Sequence, residues 1–98
     1  MTAQDGHRAP SRELLLANHR FPGPYVIKAF GPGTEAFADA IAEAAAAVVS
    51  EARAGVQQRT SSGGKRVCVT VTVNAFTVDE VIEVYERIHS VPQLMMIL

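Results

Sequence analysis

Four side chains of this 98-residue chain combine into a simple binding chemistry. Lys28 carries a cation, Thr70 and Thr72 carry hydroxyls, and Asn74 carries an amide. Held on one surface, they would grip a small carboxylate or a partner's backbone through charge-assisted and neutral hydrogen bonds. A solvated sheet face accounts for the same residues, because threonine is a common strand former. Neither hydroxyl has a base beside it in sequence, so the set points to binding rather than to bond-breaking.

Other chemistry-bearing residues have plainer explanations. Cys68 is the single cysteine; without a neighbouring base it reads as a small, partly buried thiol. His7, His19 and His89 fall in a tail, a linker and a helix end, and no pair has metal-ligand spacing. The dipole of the preceding helix is reason enough for His89. Ser61-Ser62-Gly63-Gly64-Lys65 joins two strands, so it reads as a hairpin and not as a phosphate loop. Gly31-Pro32-Gly33-Thr34 precedes a helix, but Pro32 and the missing third glycine spoil a dinucleotide fingerprint. Glu35, Asp39 and Glu43 share one helix face, and the first two suit a helix N-terminus.

The elements that must position these groups follow from hydrophobic period. Val67, Val69, Val71, Val73 and Ala75 alternate with Cys68, Thr70, Thr72 and Asn74, which predicts a strand with one apolar and one polar face. Thr77-Val78-Asp79-Glu80 is a capping box, and it starts a helix to about Ser90 with Val81, Val84, Tyr85 and Ile88 on its buried stripe. Upstream, Tyr25–Phe30 forms a first strand, and Thr34 caps a helix running to about Arg53. Its buried face is Phe37, Ile41, Ala44, Ala45, Val48 and Ala52, and Gly55 is expected to end it. Val56–Thr60 is a weak second strand, and Gln93–Leu98 a last one after the Val91-Pro92 break. Residues 1–20 are expected to be a mobile tail with a short helix over 12–17, and 21–98 the folded domain.

The order β-α-β-β-α-β predicts an α+β ferredoxin-like sandwich. Its antiparallel four-stranded sheet runs 4-1-3-2 with two helices on one face. By the alternation, Lys28, Thr70, Thr72 and Asn74 then meet on the open face. The last strand is different. Leu94 to Leu98 are all apolar, so either Leu14-Leu15-Leu16 or a second subunit must cover it. A homodimer through residues 93–98 or through the open face is the expectation.

Composition excludes several classes. Nine basic and ten acidic residues give a net charge of −1, which shows no nucleic-acid footprint. No run is long and apolar enough to span a membrane, and the first residues lack the basic start and apolar core of a signal peptide. One cysteine suits a reducing compartment, so a cytoplasmic protein without nucleic-acid or membrane partners is expected.

Three segments also carry a resemblance. Phe21-Pro22-Gly23-Pro24-Tyr25-Val26-Ile27-Lys28 followed by Gly31, then Ser61-Ser62-Gly63-Gly64-Lys65 leading into Val69–Ala75, then Val84-Tyr85, Val91-Pro92 and Met96-Ile97-Leu98 resemble the YbeD-like family of small bacterial proteins. The match covers about residues 13–98. It implies a ferredoxin-like fold close to ACT regulatory domains; the family's function is not established, and it is often described as a lipoic-acid-binding regulatory protein. With no catalytic set in the sequence, a non-catalytic regulatory or binding module is the expectation. Lys28 and Asn74 match the family pattern. Arg66 departs from it, standing where the family tends to place an aromatic, so no stacking role carries over.

RNA binding is the alternative, because RNA-recognition domains share this topology. They stack bases on aromatics of strands one and three, and the third strand here offers Thr70, Thr72 and Asn74. A small enzyme is the third reading, and no paired nucleophile or acid–base couple supports it. No cofactor is expected.

Overall fold

The structure, a computed structural model, describes residues 9–98. It contains α1 (Arg12–Asn18), β1 (Gly23–Pro32), α2 (Glu35–Val49), a 3-10 turn (Glu51–Arg53), β2 (Ala54–Thr60), β3 (Arg66–Ala75), α3 (Val78–His89) and β4 (Met96–Ile97). The strands form one sheet in the order β2-β3-β1-β4, which is the expected 4-1-3-2 read from the other edge. Every neighbouring pair is antiparallel. This is the ferredoxin-like arrangement, with α1 added before it.

The central pair carries the fold. β1 and β3 run in register from Gly23 opposite Ala75 to Pro32 opposite Arg66. Alternation sends Ile27, Ala29, Val69, Val71 and Val73 to one side, where each is fully buried. The stripes of α2 (Phe37, Ile41, Ala45, Val49) and α3 (Val81, Val84, Tyr85, Ile88) close the same core. Each fully buried valine there contributes roughly 1.5–3 kcal/mol, as an upper figure. Both helices start on a threonine: Thr34 accepts from the Phe37 N–H and Thr77 from the Glu80 N–H. The Phe37 ring occupies the space a Cβ at Gly31 would need, which seats α2 directly against β1.

Four expectations change. First, α2 ends at Val49, and Ser50, with φ 75°, makes the break. Gly55 lies instead inside β2, opposite Thr72, so β2 starts two residues earlier than its apolar content suggests. Second, the buried face of α2 is Phe37, Ala38, Ile41, Ala45 and Val49, while Ala44 and Val48 are only partly covered and Ala52 is exposed. Third, β4 is short. Outside Met96–Ile97 the segment holds to β1 through Met95 N–H to Phe30 O, Leu98 N–H to Lys28 O and Lys28 N–H to Leu98 O.

Fourth, the leucine segment does not cover β4. α1 lies against α3 and buries Leu15 alone; Leu14 and Leu16 stay exposed. On β4, Ile97 faces the core, and Met95, Met96 and Leu98 remain exposed. Residues 1–8 of the expected tail lie outside the described residues.

Candidate functional site

The face of the sheet away from α2 and α3 can be read row by row from the strand register. One row crosses the sheet as Arg59, Cys68, Phe30 and Met96. Gln57, Thr70 and Lys28 form the next, extended by Leu98, whose backbone bonds to Lys28. Gly55, Thr72 and Val26 form a third, and Asn74 faces Pro24 at the end. Lys28, Thr70, Thr72 and Asn74 are therefore brought to one face. Lys28 and Asn74 are exposed and the two threonines half-buried. Asn74 sits beyond Thr72, nearer the start of α3. The set is a strip along the β1–β3 seam rather than a tight cluster.

The apolar half of this face escaped the sequence reading. Val26 is 51% exposed, Met96 41% and Leu98 62%, and half-buried Phe30 lies opposite Met96. They line the β1–β4 side. The parity that assigns Lys28 to this face assigns Val26 and Phe30 to it too, so the signal was present in the first strand. Cys68 sits among Phe30, Arg59 and Thr70, with its sulfur 3.9 Å from the Thr70 hydroxyl.

Charge is segregated between the two sides of the molecule. Every acidic residue among the described residues lies in a helix or the 3-10 turn: Glu13, Glu35, Asp39, Glu43, Glu51, Asp79, Glu80, Glu83 and Glu86. The four strands contain none. They contribute Lys28, Arg59 and Arg66, with Lys65 in the adjoining hairpin. The helical cations Arg12 and Arg87 pair with Asp79 and Glu83, and Arg53 beside β2 pairs with Glu80. Among the described residues, no acid lies within ion-pair distance of the strand cations. The net charge of −1 thus hides a basic sheet face under an acidic helical layer.

Two polar clusters lie away from this face. Arg53 donates to both Glu80 carboxylate oxygens at 3.0 Å and to the Asn74 carbonyl at 2.9 Å, and it stacks 3.8 Å from the Phe76 ring centre. The Arg53 guanidinium holds the Glu80 carboxyl below the ordinary carboxylate range, aided by the Phe76 N–H. This cluster ties the start of β2 to the start of α3. Between sheet and helix, the Tyr25 and Tyr85 hydroxyls meet at 3.1 Å, and burial pushes the Tyr85 hydroxyl above its usual range. Each cluster is satisfied internally. No group of three or more potential ligands able to hold a metal occurs among the described residues.

The family is decided by residues 17–98. They match the model of a family described as protein of unknown function (DUF493). The chain belongs to this family. No curated protein matches it. The DUF493 match takes in the whole sheet, both covering helices and every residue of the open face. No helix among the described residues is long and apolar enough to cross a membrane.

Proposed function

We propose that this chain is a non-catalytic regulatory or binding module, working in the cytoplasm, whose open sheet face takes an anionic ligand with an apolar body. The observation that supports this reading is the segregation of charge on a face that also exposes Val26, Met96 and Leu98. Lys28, Arg59 and Arg66 supply the attraction, Thr70 and Thr72 supply hydroxyl partners, and the apolar side chains supply contact area. A small carboxylate or an acidic protein segment meets that description. Lipoate is the named small-molecule candidate through the family resemblance.

A homodimer belongs to the same proposal, because β4 is an edge strand and Met95 beside it is exposed. Pairing open face to open face would set Lys28, Arg59 and Arg66 against their own copies. The 93–98 segment is therefore the better route. The RNA alternative gains Phe30 on β1 but still lacks an aromatic on β3.

Titrating lipoate, octanoate and their uncharged amides into labelled protein, followed by amide chemical shifts, tests the reading. The acids should move Val26, Lys28, Thr70 and Thr72 more than the amides do, and Lys28→Ala should reduce the effect. Equal shifts from acid and amide, or none from either the acids or acidic peptides, would remove the anionic-ligand reading.

A further inference from the structure

The apolar side chains of the open face form a stripe rather than a scatter. Val26 and Phe30 stand on β1 with Lys28 between them, and Leu98 and Met96 stand beside them on the β4 side. Four residues of strand separate Val26 from Phe30, about 14 Å at the usual rise per residue. Facing pairs across two strands are about 5 Å apart. The stripe is thus long, narrow and parallel to the strands. One flank is cationic and hydroxylic: Arg59, Thr70 and Thr72 lie beside it on β2 and β3, and Lys28 stands within it on β1.

The outline of this region favours an elongated occupant over a small molecule. Such ligands settle in concave sites that surround most of their surface. The described grooves lie elsewhere. One of about 730 Å³ separates α2 from α3, one of about 300 Å³ runs beside β2 under α2, and a third follows the end of α3. None is lined by Val26, Lys28, Phe30, Thr70 or Thr72. A sheet with an apolar stripe buries it against another layer, and the element that fits along strands is a helix.

Resting on the anionic-ligand reading above, we propose that the occupant is an amphipathic helix of a partner protein, with an apolar stripe flanked by acidic residues. Apolar anchors spaced over two to three turns of helix span about 11–16 Å, which matches the stripe. Acidic flanks meet Lys28, Arg59 and Arg66 on a face whose strands carry no acid of their own. The covered side already shows a related solution: α3 lays Val81, Val84, Tyr85 and Ile88 on the sheet and turns Asp79, Glu83 and Glu86 outward. The folded helices of a second copy do not fit: the apolar stripes of α2 and α3 are already buried, and α1 is under two turns long with its exposed Leu14 and Leu16 two residues apart, not on one helical stripe. Exposed aliphatic side chains also favour a protein over RNA, since bases stack on aromatic faces and Phe30 alone is available here.

The test uses the full chain and four probes: a synthetic helix with leucines at i, i+4, i+7 and i+11 flanked by glutamates, the same helix with lysines, a single-stranded RNA oligonucleotide, and octanoate. The acidic helix should bind and shift Val26, Lys28, Phe30, Thr70 and the 96–98 segment. The lysine helix should not. Reversing Lys28 and Arg59 to glutamate together should weaken the acidic helix by about tenfold or more. Val26→Ser should weaken it while leaving the fold intact by circular dichroism.

Octanoate shifting this face while the acidic helix does not would overturn the helix proposal and leave the anionic-ligand reading standing. Failure of both would overturn both. Preference for RNA, equal binding of the lysine helix, or self-association through the open face that buries Val26, Lys28 and Phe30 would each overturn the helix proposal; pairing at the free edge of β4 alone leaves that face open and is compatible with it.

Discussion

One sheet presents two very different surfaces built from the same strands. β1 and β3 send Ile27, Ala29, Val69, Val71 and Val73 to the helices, and Val26, Lys28, Phe30, Cys68, Thr70 and Thr72 to the other side. At these five positions the covered surface is aliphatic and fully buried. Its composition is explained by close packing, which tolerates neither gaps nor unpaired polar groups. The open surface mixes cations, hydroxyls, a thiol and aliphatics. Packing within the chain does not call for Val26, Met96 or Leu98 there. The contrast separates residues whose role is stability from residues that need an outside partner to make sense.

The largest expected effect tests that separation at adjacent residues. Ile27→Ala should cost about 2–5 kcal/mol of unfolding free energy, because it opens a cavity under α2 and α3. Val26→Ala should stay within about 0.5 kcal/mol. Denaturant midpoints of the two variants provide the measurement, and similar losses would erase the distinction between the faces.

A smaller effect concerns acid. Glu80 titrates below the ordinary carboxylate range in the folded protein because Arg53 donates to it. It therefore adds stability above the pKa of the unfolded carboxyl, and this is lost as pH falls through the lower, folded value. Glu80→Gln should be less stable than the parent at neutral pH, with the gap closing on acidification. Thermal melts across that range check it. Acid sensitivity belongs to the helical side in this comparison, and a gap that persists unchanged into strong acid would contradict it.

The smallest effect is Lys28→Ala. It should leave stability within about 1 kcal/mol, as for an exposed site, while reducing binding of an anionic ligand. A larger loss of stability would make Lys28 a structural residue and remove it from the proposed site.

The fold was largely legible because its two strongest patterns are local. The alternation from Val67 to Ala75 and the Thr77–Glu80 box report strand and helix without outside help. β2 was harder to bound. Ala54 and Gly55 carry no alternation, and their strand character comes from pairing with Val73 and Thr72, a long-range effect. The end of α2 misled for a related reason: glycine is the usual residue for positive φ, but Ser50 takes it here. The polar half of the open face followed from parity alone. Its apolar half was overlooked, and the one-sided placement of acids became visible only when helices and strands were compared as groups.

β1 is the first strand in the chain, yet its two neighbours are β3 and β4. A growing chain leaving the ribosome therefore exposes Ile27 and Phe37 long before Arg66–Ala75 exists to receive them. One side of β1 stays open until residues 96–98 emerge. Folding is consequently postponed until residues 96–98 have been made, and the aliphatic segments before them must survive unassembled until then.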